Sequence, residues 1–185
     1  MSQPSAAASP AGRAVTPPPG RYRLDPARTT IRADVPVMFG LVTVHGTFRL
    51  AAGDVHIAED PGQSSVRLTI DAGSFSAGRG MRDVDVMSAA LLDASAYPEI
   101  EFTGRGPRLD GAGWLLPGQV TAHGVTAPVE IRITLAAADD GVARFRAVAR
   151  LERTRFGITK KQGLVGTTVD LTVDAACVPA GPASA

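Results

Sequence analysis

Val129, Ile131, Ile133 and Leu135 are apolar, and Glu130, Arg132 and Thr134 between them are polar. A period of two describes a strand with one dry face and one wet face. Val120 and Ala122 carry the same alternation on the other side of His123-Gly124-Val125-Thr126. With Gly124 and Pro128 as punctuation, residues 118–135 predict two antiparallel strands joined by a short turn. Such a sheet must cover its apolar face with another layer or by closing on itself.

The same alternation recurs along the chain. Ile31, Ala33, Val35 and Val37 form one face over 30–37, and Pro36 marks an edge, a bulge or the end of that strand. Val44, Phe48 and Leu50 follow, after an apolar corner at Met38-Phe39-Gly40-Leu41. Ala51-Ala52-Gly53-Asp54 reads as a turn, with a short strand from Val55 to Ala58. Further apolar faces are Val66, Leu68 and Ile70; Ile100 and Phe102; Phe145, Ala147, Ala149 and Leu151; and Val169, Leu171 and Val173. Residues 81–96 contain neither Gly nor Pro, and Val84, Met87, Leu91 and Leu92 recur at near-helical spacing. Ser88 is read as the cap of a short helix over 89–92, which Tyr97-Pro98 ends. About eight or nine strands with one short helix make an all-β fold, and a closed barrel or a two-sheet sandwich both fit.

Composition excludes several classes. The net charge is +1 and the pI about 8.0, with no basic stripe to recruit nucleic acid. No run of about 18 apolar residues predicts a transmembrane helix. The first 20 residues, rich in Ala, Ser and Pro, are read as a disordered tail. A folded domain is expected over 21–179, with a small-residue tail over 180–185. Residues 1–20 lack the basic start and apolar core of a secretory signal, so a cytoplasmic location is expected. The single cysteine, Cys177, cannot form an intramolecular disulfide and reads as a small apolar residue ending a strand.

Several short segments, in order, resemble the YceI-like family of polyisoprenoid- or lipid-binding proteins. They are Tyr22-Arg23-Leu24-Asp25-Pro26, Val44-His45-Gly46-Thr47-Phe48, Arg82-Asp83, Ser88-Ala89-x-x-Leu92-Asp93, Tyr97-Pro98-x-Ile100-x-Phe102, His123-Gly124-Val125-Thr126, Arg153-x-x-Phe156-Gly157-Ile158 and Val165-Gly166-x-x-Val169. The resemblance implies a lipocalin-like, eight-stranded antiparallel barrel with one short helical segment near its mouth. It implies a long apolar cavity for an isoprenoid or other lipid-like amphiphile, and no established catalysis. Many members carry a secretory signal. This chain departs from the family at Arg28-Thr29, often His-Ser there, at Ala33, often aromatic, and at Val37, often basic. It also has Arg82-Asp83-Val84-Asp85-Val86 in place of Arg-Asp-x-His-Leu.

The expected ligand-binding wall is Ile31, Ala33, Val35, Val37, Phe48, Leu68, Ile70, Phe102, Ile131, Ile133, Phe145, Ala147 and Leu171. Arg82, Asp83, Asp85 and Ser88 are the expected polar groups at the mouth. Periodicity alone does not separate a filled barrel from a hollow one. His45, His56 and His123 match no metal motif, and no catalytic triad or phosphate loop is present, so no cofactor and no enzymatic activity are expected. His123 is expected to hydrogen-bond locally in its turn. The expected partner is an apolar small molecule, with a homodimer left open. The alternative is a structural or interaction module with a filled barrel, for which Arg144, Arg146 and Arg150 offer a docking face.

Overall fold

The computed structural model describes residues 17–181 except 79, 112 and 140. Its strands are β1 (Gly20–Leu24), β2 (Thr30–Val37), β3 (Val42–Ile57), β4 (Ser65–Ser76), β5 (Glu99–Arg105), β6 (Arg108–Asp110), β7 (Gly113–Ala122), β8 (Val125–Asp139), β9 (Val142–Glu152) and β10 (Thr168–Pro179). The helix α1 spans Gly80–Met87. Eight of these strands close a ring in the order β10-β2-β3-β4-β5-β7-β8-β9, with β9 pairing back to β10, all antiparallel. The barrel choice therefore holds over the sandwich. Closure removes the exposed edges that an open sheet of these strands would have to protect.

Register decides what faces in. Across β9 and β10, Leu151 opposes Val169, Ala149 opposes Leu171 and Ala147 opposes Val173, so small and large apolar groups meet inside. On the outer face, either side of Val148 and Thr172, cross-strand ion pairs join Arg150 to Asp170 and Arg146 to Asp174, both at 2.7 Å. Each aspartate raises the pKa of its arginine through the hydrogen bond and its charge. Two of the three arginines proposed as a docking face are thus matched within the barrel wall itself.

Antiparallel order gives the barrel two unlike ends. β1 lies outside the ring and crosses the end where β2 begins, pairing with both β10 and β3. There Tyr22, Leu24, Ile31, Leu50, Ile57 and Cys177 form a buried cluster, the floor. Pro17 is buried and Gly20 opens β1, so the fold takes in 17–20; residues 1–16 and 182–185 lie outside the described residues. At the other end lie α1, the 38–41 turn, the 123–124 turn and the chain between β9 and β10.

Three local expectations need correction. Residues 51–54 are not a turn: β3 runs unbroken for 16 residues, with register shifts against β4 at Thr47/Arg49 and Leu50/Ala52. A bulge takes up the extra residue and bends the strand around the barrel. The helix precedes Ser88 instead of following it. Asp83 anchors its first turn to the end of β4, its carboxylate accepting from the Ala77 N–H at 2.7 Å and the Ser76 hydroxyl at 3.1 Å. Ser88 then sits past the helix end, donating to the Asp85 carbonyl at 2.7 Å and accepting from the Ala90 N–H. Finally, His123 and Gly124 both have positive φ, 51° and 72°. That is the two-residue turn whose twist suits a hairpin. Its histidine ring packs on Tyr97, 4.9 Å between centroids, and shows no local hydrogen bond among the described residues.

Candidate functional site

The barrel is hollow. A cavity of about 530 Å³ runs along its axis. All thirteen expected wall residues line it: Ile31, Ala33, Val35 and Val37 on β2, Phe48 on β3, Leu68 and Ile70 on β4, Phe102 on β5, Ile131 and Ile133 on β8, Phe145 and Ala147 on β9, and Leu171 on β10. Period two places them there, since alternate residues of every ring strand point the same way. Side chains missed by the pattern complete the lining, among them Leu24, Phe75, Trp114, Phe156 and Cys177. Phe75 reaches its place because position 46 has no side chain. A Cβ at Gly46 would lie 2.1 Å from the Phe75 ring, which instead meets Phe48 edge-on at 5.2 Å.

Polar side chains on the lining are few: Ser64, Ser65, the Trp114 indole and the Cys177 thiol toward the floor, and Asp85 and Arg153 toward the mouth. Cys177 is 1% exposed, and burial pushes its thiol up to about 12. It stays protonated at neutral pH and is no nucleophile. Among the described residues, no group of three or more His, Cys, Asp or Glu is placed to hold a metal ion. His45 instead bonds the Asp34 carboxylate at 2.7 Å on the barrel exterior. The interior therefore offers shape and apolar contact, with polar groups only at its ends.

Of the three expected mouth residues whose side chains are described, Asp85 alone lies on the cavity. Its carboxylate accepts from Lys161, which joins α1 to the chain between β9 and β10. Asp83 ties α1 to β4, and Ser88 bonds main-chain groups beyond the helix. The Arg82 side chain lies outside the described residues.

Arg153 organises the mouth, and sequence reasoning assigned it no role. Its guanidinium is buried, and it donates to four main-chain carbonyls: Gly166 at 2.8 Å, Ile158 at 2.6 Å, Lys160 at 3.0 Å and Val165 at 2.9 Å. Burial lowers its pKa, while the carbonyls satisfy the cation. A planar five-donor fork fits a looped backbone that a lysine could not hold in the same way. Val165 then bridges to Val37, the Gly166 N–H donates to the Pro36 carbonyl at 2.7 Å, and the Met38 N–H to the Leu164 carbonyl at 2.8 Å. The opening lies between these two turns: Met38 and Leu164 line the cavity yet are 52% and 56% exposed. At the opposite end, the lining residues Pro17, Leu24 and Ser64 are buried.

Known proteins resemble this chain in sequence and in fold. Protein YceI of Escherichia coli O17:K52:H18 (strain UMN026 / ExPEC) is 29% identical over 140 residues, 72% of this chain and 73% of that protein. The crystal structure of Burkholderia cenocepacia BcnA superposes with a TM-score of 0.75 at 22% identity, over 83% of this chain and 98% of that one. A polyisoprenoid-binding domain from Saccharophagus degradans, implicated in plant cell wall breakdown, gives 0.65 at 14% identity, over 86% and 98%. These two structures share the fold. Residues 22–177 match the YceI-like domain, and the chain belongs to that family.

Proposed function

We propose that this protein binds an isoprenoid or other lipid-like amphiphile in its barrel, without chemistry, to carry, store or sense it. The observation behind this reading is a closed barrel with an apolar cavity of about 530 Å³. That volume falls within the range of roughly 300–1,000 Å³ typical of small-molecule sites. The relative from Saccharophagus degradans that shares the fold is a polyisoprenoid-binding domain, which supports the same ligand class. A hollow interior weighs against the filled barrel of an interaction module.

The energetics suit a hydrocarbon chain. Each buried methylene contributes about 0.8 kcal/mol, so a chain of about twenty carbons gains ~16 kcal/mol at most. Lost freedom on association takes back roughly 4–15 kcal/mol. The net of ~1–12 kcal/mol spans the ~8 kcal/mol of micromolar binding, which is reached without an internal hydrogen bond where the association cost stays below ~8 kcal/mol. The few polar groups at the mouth orient the ligand with its head group outward.

Trp114, the only tryptophan, lines the cavity and reports on occupancy. Dibromostearic acid, whose bromines quench indole on contact, is expected to quench Trp114 saturably, and geranylgeraniol to restore the emission. Ala33→Trp or Ile131→Trp, in a separate uptake assay with radiolabelled geranylgeraniol, should abolish uptake while the barrel still folds. Saturable uptake by the filled variants, or no quenching in the wild-type protein, would sink the reading.

A further inference from the structure

Of the ten exposed large apolar side chains among the described residues, eight lie at the mouth end, and five of these sit on its two stitched turns: Met38, Phe39, Leu41, Val42 and Leu164. Phe39 is 86% exposed and Leu41 82%, so neither contributes packing to the barrel. Their exposure is built in. Met38, Phe39 and Gly40 all have positive φ, 51°, 58° and 84°, a conformation that bulky side chains rarely adopt. The turn is held in that shape by the Gly40 N–H on the Val37 carbonyl and the Leu41 N–H on the Met38 carbonyl. It is also stitched to the neighbouring turn through Met38 and Leu164. The result is an apolar rim continuous with the cavity, since Met38 and Leu164 belong to both.

Charge flanks this rim. Lys160 and Lys161 leave the same turn as Leu164. Lys161 is engaged by Asp85, whereas Lys160 is exposed and has no acidic partner among the described residues.

We infer that this rim is a membrane-docking face: the mouth seats on an anionic lipid bilayer, with Phe39 and Leu41 in the interfacial layer and Lys160 at the phosphates. Aromatic and aliphatic tips beside lysine suit that boundary. A handful of side chains on two turns is small beside the roughly 20–30 residues per partner of a stable protein interface. A bilayer also accounts for continuity with the cavity. A lipid-like ligand passes between membrane and barrel without crossing water, which rests on the cavity-ligand reading above.

The test is flotation of the full chain with vesicles of phosphatidylethanolamine and phosphatidylglycerol. The wild-type protein should float. The double variant Phe39→Asn, Leu41→Ser should lose at least about tenfold in vesicle affinity, equivalent to ~1.4 kcal/mol. Dibromostearate quenching of Trp114, measured without vesicles, should be unchanged, since neither residue lines the cavity. Lys160→Glu should weaken binding to anionic vesicles and leave binding to phosphatidylcholine vesicles as it was. The proposal fails if the wild-type protein does not float, or if the double variant floats equally well. It also fails if the two substitutions instead convert a dimer into monomers, which would make the rim a contact between copies. Floating without Trp114 quenching would leave docking standing and remove the cavity-ligand reading; quenching without floating would do the reverse.

Discussion

The two ends of the barrel use the same residue types for opposite purposes. At the floor, Leu24, Ile31 and Cys177 are at most 4% exposed and pack against one another under β1. At the mouth, Phe39 and Leu41 are left in water, and order comes from main-chain hydrogen bonds gathered by Arg153. The floor is held by apolar burial, which is non-directional. The mouth is held by directional bonds, which fix backbone shape without filling space. That division lets one end seal while the other stays open to a ligand.

The largest expected effect tests the floor. Leu24 packs so closely that a Cβ at Gly53 would lie 3.0 Å from its Cδ1. Leu24→Ala should cost roughly 2–5 kcal/mol, measured by urea unfolding. Leu171→Ala trims a side chain that is only half-buried and lies outside both buried clusters, whereas Leu24, though it also touches the cavity, is packed within the floor cluster. It should cost less than Leu24→Ala. Equal losses would mean that floor and wall are packed alike, and the contrast between them would not stand.

Arg153→Ala tests the mouth. Hydrogen bonds to a charged group contribute about 1.5–3 kcal/mol each, but the freed carbonyls recover water, so a total loss of ~3 kcal/mol is expected. The loss should be local. Amide exchange should quicken over 157–166 while the floor strands stay protected. Arg153→Lys should recover only part, because an ammonium cannot reach four carbonyls spread over a loop. Exchange that quickened equally at β1 would show that the ends are not independent.

These residues also show what could be read without a structure. The wall was legible because period two carries inside-or-outside information one residue at a time, as Ile131 and Ile133 show. The small apolar role of Cys177 was legible for the same reason. Arg153 was not, because its acceptors are carbonyls 5–13 residues away along the chain, and main-chain acceptors carry no side-chain signature. The corner at 38–41 was recognised as apolar, but its outward aim depends on positive φ angles that no pattern of hydropathy encodes. Residues 51–54 misled through local composition. Gly53-Asp54 suits a turn, yet Gly53 pairs with Leu68 and Asp54 with both Arg23 and Arg67, so sheet pairing overrides the local preference. The helix lies N-terminal to the expected 89–92, where Asp83 ties it to β4, a contact invisible to helical spacing.

The smallest effect at moderate pH concerns Cys177 and the dryness of the floor. Burial raises its pKa from 9.0 to about 12, so the folded state holds the thiol proton more tightly than the unfolded chain does. The resulting stability is fully present below pH 9 and is lost as pH rises toward 12. At pH 10 the loss is about 1.4 kcal/mol relative to neutral pH, because one pKa unit corresponds to about 1.36 kcal/mol. Other groups titrate in this range too, so the comparison is with Cys177→Ala, whose stability should fall less between pH 7 and pH 10 by that amount. A thiol reagent added to the folded protein should likewise react only as fast as the barrel opens. Prompt labelling at neutral pH, or parallel pH profiles for the two proteins, would show that water reaches the floor. The cavity would then be wet down to its floor, and a bound chain would have to displace water along its whole length.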